Sequence, residues 1–542
     1  MKHKHSGRRL LSAAAAAALA LAVMPQSVSA DWQHIGCLGD LDRDQKVTLV
    51  DLIRLVRHIH AQDPLTTDQF YEVNGAMIGI GGADGFQAGN FLNTADLNQD
   101  GTVDVFDLAL MKRAVFQGEG PWVWQWMDTP ENPTQPDDLG DFITPPIDAV
   151  RGYLPPQGDS RLVILYVDFP DCPYDYAPDA EEIDQIAFGP ENTADANYPF
   201  ESASAFYERS SKGVMHLGGK AFRYTAQKNN AEYNDVAGRQ ALVKEALRAF
   251  EESEDFAKFD SDNDGFIDTT LLSVPKAAGD DNWWPCAGPM DDDNWYVDGK
   301  RIGHIITSNS QIASRTDYYN FNSTILHEMG HCMGLPDYYL YHGSDTEGMH
   351  GTAGSEMMDV DATSDFSCVS KLQYGWYRAG QIEVFDADRT TETYTLHNAQ
   401  TDAGNVLVIP CGDLDAQYHS EYMLVEYTTQ DRNNSHPGWW VMMDSGIRVY
   451  HVDATVENDY WGPSFLYGSG KPATNNDEGR RLLRIIDDRE TDNLYSTGDV
   501  IDGTVSGFHW YDANGYQTVD TGISITVGAL TEDGYEITVT RQ

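Results

Sequence analysis

The sequence predicts a multidomain α+β protein, and three observations carry that prediction. A duplicated acidic segment near the N-terminus spaces its oxygen side chains as a calcium loop does, and each copy runs into a helical pattern. In the middle of the chain a β-rich apolar run is followed by a helix bearing H-E-x-x-H. From Gln381 onward, alternating apolar and polar runs are separated by polar turns, the pattern of an all-β region. At 542 residues the chain is too long for one typical domain. Its hydrophobic share of 41% and aromatic share of 11% suffice for packed cores and exclude a disordered composition.

Residues 1–30 read as a secretory signal. Lys2, Lys4, Arg8 and Arg9 make a basic start, Leu10 to Val23 is an Ala-rich apolar run, and Val28-Ser29-Ala30 is a small-residue exit. The apolar run is short for a bilayer span, so a secreted, extracellular protein without membrane insertion is expected. The formal charge is −49, and loss of the four basic signal residues takes it to −53. Such a surface repels phosphate backbones and excludes nucleic acid as a partner. Export permits disulfides among Cys37, Cys172, Cys286, Cys332, Cys368 and Cys411, but a chain of this size does not depend on them.

The segment 34–118 contains the two acidic loops. Asp40, Asp42, Asp44 and Asp51 occupy loop positions 1, 3, 5 and 12 of the first, and Asp96, Asn98, Asp100 and Asp107 those of the second. That is the Ca²⁺-ligand spacing of an EF-hand loop. Leu52, Leu55, Val56 and Ile59, then Leu108, Met111 and Val115, continue each loop as a helix. Position 12 is Asp rather than the usual bidentate Glu, and Lys112-Arg113 stand at positions 17 and 18 of the second copy. A duplicated loop-helix unit of this kind resembles a type I dockerin. The resemblance implies structural Ca²⁺ and docking onto a cohesin module of a scaffoldin in a cellulosome. The chain departs from that pattern with Gln45 at position 6 of the first loop and a long stretch from Gln62 to Ala95 between the copies. Residues 119–157, with Trp122, Trp124 and Trp126 and then many prolines and acids, read as an extended linker.

A segment from 158 to 380 follows. Arg161-Leu-Val-Ile-Leu-Tyr-Val-Asp-Phe169 predicts a buried strand, and 236–252 a helix. Asp260, Asp262, Asp264 and Asp268 form a third acidic loop, a candidate Ca²⁺ site although Leu271 stands at position 12. The most informative stretch is His327-Glu-Met-Gly-His-Cys-Met-Gly-Leu-Pro-Asp337, or H-E-x-x-H-x-x-G-x-x-D. On a helix, His327 and His331 lie about 40° apart around the axis, so both imidazoles face one point. That spacing suits two ligands on one Zn²⁺. Glu328 projects beside them, where a carboxylate can accept a proton from the water on the metal. Gly334 can take the left-handed conformation that ends a helix, and Asp337 then arrives as a third ligand, which leaves one position open. Asn322 or Ser323 is placed to cap this helix, and Cys332 lies off the histidine face as a structural residue. His304, His342 and His350 are candidate donors to a developing oxyanion. The remaining segment, 381–542, predicts a β-sandwich, with Ile523–Val527 and Tyr535–Thr540 as a hairpin.

From about residue 156 to 542 the chain resembles the immune inhibitor A family of secreted bacterial metallopeptidases. The resemblance rests on the strand ending Val-Asp-Phe-Pro-Asp171, Phe206-Tyr-Glu-Arg-Ser-Ser-Lys-Gly213, the acidic loop at 260, and the H-E-x-x-H helix with Leu-Pro-Asp-Tyr-Tyr339. Downstream it rests on Glu356-Met-Met-Asp359, Lys371-Leu-Gln-Tyr-Gly-Trp376, Glu426 and His451-Val-Asp453. It implies a zincin, metzincin-like fold with His327, His331 and Asp337 on catalytic Zn²⁺ and Glu328 as general base. It also implies a methionine turn beneath the metal, placed at Met358 with Met357 as the second choice. The function expected is that of a secreted zinc-dependent endopeptidase cleaving protein or peptide substrates, attached to a cellulosome scaffold. The alternative is a catalytically weak zincin-fold binding or adhesion component of that assembly. A carbohydrate-cleaving reading finds no support, because glycosidases need two carboxylates across the scissile bond rather than a His-His-Asp set.

Overall fold

The computed structural model describes residues 33–37, 41, 49–59, 70–73, 76–79, 91–93, 111, 122–125, 141–149, 154–290, 295–339, 354–359, 364–435, 445–459, 462–468, 480–486 and 494–542. The chain divides into two units, Met1–Asp137 and Asp138–Gln542. It is a mixed α/β protein with many strands and few helices.

In the first unit, α1 (Leu49–Ile59) follows the first acidic loop. Leu52 and Leu55 are buried and Arg54 and Arg57 exposed, as the helical spacing predicts. Arg54 Nη1 donates to the Leu41 carbonyl at 2.6 Å, tying the helix back to the loop. The tryptophan-rich start of the segment read as a linker forms β5 (Trp122–Gln125), which pairs antiparallel with β1 (Gln33–Cys37). Alternating aromatic and β-branched residues favour an extended, paired backbone over a free linker. In sequence between the two acidic loops, β2 (Phe70–Val73), β3 (Ala76–Gly79) and β4 (Phe91–Asn93) form a small sheet.

The second unit is built on a five-stranded sheet in the order β7-β6-β8-β10-β9. Its strands are β6 (Gly158–Asp168), β7 (Met215–Thr225), β8 (Phe266–Ser273), β9 (Cys286–Pro289) and β10 (Arg301–Ser308). β6 is an interior strand, parallel to β7 and β8 on either side, and its continuously apolar sequence follows: a parallel strand covered on both faces has no solvent side. Leu162, Ile164 and Tyr166 enter one core, and Val163, Leu165 and Val167 enter another. The second core is closed by α4 (Val236–Phe250), through Leu242, Val243, Ala246 and Leu247. The first is closed by α2 (Ala180–Phe188), α3 (Ala203–Ser210), α5 (Tyr319–Cys332) and α6 (Cys368–Gln373). β9 alone runs antiparallel and forms one edge of this sheet among the described residues, β7 forming the other.

Beyond α6 the described residues form strands and turns, with two short 3₁₀ helices at Ala379–Gln381 and Arg432–Asn434. β11 (Ile382–Val384), β13 (Val406–Pro410), β14 (Glu421–Thr428), β15 (Gly446–Asp453) and β18 (Leu483–Ile485) make a second sheet. Between them in sequence are β12 (Thr391–Leu396), β16 (Val456–Asp459) and β17 (Gly462–Phe465). β20 (His509–Tyr511) and β21 (Gln517–Asp520) pair antiparallel as a two-stranded sheet, and β12 joins β19 (Val500–Ile501), β22 (Ile523–Leu530) and β23 (Tyr535–Arg541) in a third large sheet, with β22 and β23 as the expected hairpin. Leu407, Ile409, Met423 and Val425 face the third sheet. Val406, Val408, Tyr422 and Leu424, the alternate positions, belong instead to the core that contains α5.

Segments 158–380 and 381–542 therefore share one apolar core. The end of the segment read as linker bonds to both: Trp376 Nε1 donates to the Pro156 carbonyl and Gln157 Nε2 to the Gly375 carbonyl, each at 2.7 Å, while the Pro146 carbonyl accepts from His419 Nε2 at 3.1 Å. A chain ending at residue 380 would expose the α5 side of that core to water. It is expected to lose its cooperative thermal transition and near-ultraviolet circular dichroism; a truncated protein with a sharp native-like transition would contradict the shared core.

The predicted cap of α5 needs correction. Asn322 and Ser323 lie inside the helix, which begins at Tyr319. The capping acceptor is Asn197 Oδ1, from a loop distant in sequence, which takes the amide protons of Tyr318 and Tyr319 at 3.0 and 3.1 Å. Asn322 is buried and donates to the carbonyls of Ile186 and Phe200, both at 2.9 Å. Tertiary contact supplies what a local Ncap would have supplied. Among the described residues no helix is long and apolar enough to cross a membrane, and Cys172, Cys286, Cys332, Cys368 and Cys411 are free thiols.

Candidate metal centre

The last two turns of α5 place His327 and His331 on one face, with ring centroids 4.9 Å apart and planes at 86°. The helix then ends in a Schellman motif. Leu335 N–H reaches the Gly330 carbonyl at 3.2 Å and Gly334 N–H the His331 carbonyl at 2.9 Å, with Gly334 at φ 114°. A side chain at that φ would be strained, so glycine is required for the reversal. Two residues past the motif, Asp337 Oδ1 lies 3.1 Å from His327 Nε2 and 3.3 Å from His331 Nε2.

The second nitrogen of each ring fixes the chemistry of the first. His327 Nδ1 lies 2.8 Å from the Met357 carbonyl and His331 Nδ1 2.7 Å from the Leu335 carbonyl. A carbonyl only accepts, so Nδ1 carries the proton in both rings, and in the neutral imidazoles each Nε2 is a lone pair. Two lone pairs then face one carboxylate oxygen at hydrogen-bond distance, which is repulsive without positive charge among them. Ligands about 2.0–2.1 Å from a tetrahedral metal sit about 3.3 Å from one another, close to the separations found. The three donor atoms lie within 4.8 Å of each other. The donor set fits a Zn²⁺-type cation, with both histidines oriented by backbone carbonyls. Burial works to raise the Asp337 carboxyl, but when the His327 and His331 imidazoles are protonated their hydrogen bonds and charge outweigh it and hold the group well below the usual carboxylate range. Glu328 is on the same helix and only 4% exposed.

A turn beneath the helix organises this arrangement. Met358 packs its thioether against Gly330: a Cβ built at Gly330 would lie 2.4 Å from Met358 Sδ. The Met358 carbonyl accepts from Tyr338 N–H at 2.9 Å, anchoring the residue after Asp337. Met357 contributes its carbonyl to His327, while its own side chain enters the core. Fully buried Glu356 accepts the Met358 amide proton through Oε2, and through Oε1 those of Ser367 N–H at 3.2 Å and Ser370 Oγ–H at 2.5 Å. Burial pushes its carboxyl up to about 7 despite these donors. Sequence reasoning named Glu356 only as part of a motif; an acid immediately before Met-Met in an apolar setting is the signal that marks it. The carbonyls of Met357 and Leu335 left no signal, since any residue presents one.

Other candidates fall as follows. Cys332 is buried in the helical core, and burial pushes its thiol up to about 12. His304 on β10 pairs across to Thr269 and Pro289, and burial followed by the charge of His331 lowers its imidazole to about 4. His342 and His350 lie outside the described residues. In the acidic loop, Asp260, Asp262 and Asp268 converge within 4.8 Å. Asp264 instead accepts from Phe266 N–H at 2.8 Å, and Asp260 Oδ2 pairs with Lys300 Nζ at 2.6 Å. Asp268 accepts from Arg161 N–H, Ser261 N–H and Ser261 Oγ–H at 2.8, 2.9 and 2.5 Å, and burial raises its carboxyl to about 7. Of the N-terminal calcium positions, Asp51 lies in α1. Asp40, Asp42, Asp44, Asp96, Asn98, Asp100 and Asp107 lie outside the described residues.

Comparison with curated proteins finds no match to this chain. Comparison with protein families matches residues 38–116, the stretch that holds both acidic loops and α1, to the family described as dockerin type I domain. The chain therefore carries a type I dockerin domain at residues 38–116.

Proposed function

We propose that the second unit is a zinc endopeptidase of the zincin type, related to the immune inhibitor A metallopeptidases, and that the dockerin attaches it to a cellulosome scaffold outside the cell. The observation that carries the peptidase reading is the convergence of His327 Nε2, His331 Nε2 and Asp337 Oδ1 on one point, with Glu328 buried on the same helix. Those three side chains would hold Zn²⁺, which when bound supplies Lewis acidity toward a peptide carbonyl and toward water. Glu328 takes a proton from the attacking water and returns one to the departing amine nitrogen, a role for a carboxylate held out of bulk solvent. The methionine turn and the two carbonyls keep the imidazoles in the tautomer that leaves Nε2 free to coordinate.

Substrate placement follows from the sheet. Edge strand β9, antiparallel to β10, offers backbone groups to an extended peptide, which would add as a further strand. Gly288 on β9 has nothing within 4 Å of a built Cβ, so a neighbouring backbone can approach closely. This mode reads main chain rather than side chains and suits an endopeptidase acting on unfolded protein.

The test is cleavage of denatured casein by residues 31–542 in excess Ca²⁺, with and without a zinc-selective chelator. Loss of cleavage on zinc removal and return on adding Zn²⁺ are expected. Undiminished cleavage by protein shown to be zinc-free would overturn the reading, and failure of the folded, zinc-loaded protein to cleave would favour the adhesion alternative.

The dockerin supplies the second half. Type I dockerins carry Ca²⁺ in duplicated loops, and the partner is a cohesin module of a scaffoldin. Binding to a cohesin is expected to need Ca²⁺ and to fall at least 10-fold in Asp51→Ala or Asp107→Ala, which remove position-12 ligands. Isothermal titration with and without EGTA measures this, and calcium-independent binding would refute it.

A further inference from the structure

Glu356 stands apart from the metal ligands, yet its contacts lead to two of them. Its carboxylate accepts three hydrogen bonds, from Met358 N–H, Ser367 N–H and Ser370 Oγ–H. These clamp the turn 356–358 from inside and join it to the start of α6, where Ser367 is the Ncap. From the clamped turn, the Met357 carbonyl reaches His327 Nδ1 at 2.8 Å and the Met358 carbonyl reaches Tyr338 N–H at 2.9 Å. Tyr338 is tied a second time. Ser370 gives its hydroxyl proton to Glu356, so at 3.1 Å it accepts from Tyr338 Oη–H. One buried carboxylate thus fixes the turn that orients His327, and it fixes both ends of the residue that follows Asp337.

We propose that Glu356 is a positioning residue of the metal centre, holding His327 and Asp337 in the arrangement that binds Zn²⁺ and so setting metal affinity. The inference rests on the zinc reading of the site. Replacement by Gln keeps the shape but cannot preserve the contacts: an amide has one acceptor oxygen, and its NH₂ would face either the Met358 amide or the two donors on Oε1. The turn would shift to relieve donor facing donor, and the Met357 carbonyl would move with it. Groups that orient a metal ligand typically change affinity 10–100-fold when removed. Acting through a carbonyl, Glu356 is expected near the lower end, about 10-fold.

The experiment measures the zinc dissociation constant of residues 31–542 by competition with a chromophoric chelator, alongside the melting temperature of the zinc-free protein. The variants are Glu356→Gln, Ser370→Ala and Asp453→Asn. Asp453 is the control, a buried carboxylate held by a backbone amide, a threonine hydroxyl and the Arg480 guanidinium outside the turn. Glu356→Gln is expected to weaken zinc binding about 10-fold. Ser370→Ala, which keeps the carboxylate and removes one donor, is expected to weaken it less and serves if the first variant does not fold. Asp453→Asn is expected to lower the melting temperature without changing zinc affinity. If Glu356→Gln and Ser370→Ala bind zinc within twofold of the parent, or if Asp453→Asn weakens it equally, Glu356 is merely structural and the proposal is wrong. If the parent itself binds no zinc, the metal reading fails first and takes this inference with it.

Discussion

Replacing Glu328 with Gln is expected to leave a folded protein that binds Zn²⁺ as the parent does and cleaves casein about 10²–10⁴-fold more slowly, the usual contribution of a positioned general base. The substitution keeps the volume of a side chain that is almost fully buried on α5, so the packing of Met329 and Leu326 beside it is undisturbed. It leaves His327, His331 and Asp337 intact and removes only the group that can accept a proton from water. The loss should appear in kcat with little change in KM, because the residue acts in the transition state rather than in holding the peptide. Zinc content by mass spectrometry and steady-state cleavage of a fluorogenic peptide decide the matter. A variant with full zinc and undiminished kcat would show that Glu328 is not the base.

Gly330→Ala is the second large effect, and it is an effect on structure. Gly330 sits inside H-E-x-x-H, where helix propensity alone would favour alanine. A Cβ there would meet Met358 Sδ at 2.4 Å, Met358 Cε at 3.0 Å and Tyr374 Oη at 3.3 Å. Met358 and Tyr374 are fully buried, so neither can swing into solvent. Overpacking of this kind costs about 1–3 kcal/mol, and here the strain falls on the turn whose carbonyls hold His327 and Tyr338. The melting temperature and the zinc affinity are expected to drop together. Met358→Ala in the same chain makes room for the methyl, so the double variant should be more stable than the two separate losses predict, with a coupling of about 0.5–3 kcal/mol. Strict additivity in urea denaturation would mean that the two residues do not bear on one another.

Much of the candidate site was legible because it is local. His327, Glu328 and His331 lie within two turns of one helix, and the period of 3.6 residues alone puts the imidazoles side by side. Gly334 and Asp337 complete a reversal that a positive-φ glycine and a short chain make possible. The burial of β6 was equally legible, since a strand apolar on both alternations has no face for water.

The sequence by itself therefore determined which side chains converge at the candidate metal point, which helix carries them, and the calcium-loop spacing within the segment that matches a dockerin. Only the tertiary structure decided what holds them there. The helix is capped by Asn197, more than 100 residues upstream. The imidazoles are oriented by the carbonyls of Met357 and Leu335, and the turn beneath is clamped by Glu356. Strands of the 381–542 segment close the same core as α5. Periodicity encodes which face of an element a residue occupies. A backbone carbonyl has no residue-type signature, and a contact across a hundred residues has no spacing to read. The candidate ligands were thus written in the pattern of the chain, while their supports were fixed by packing.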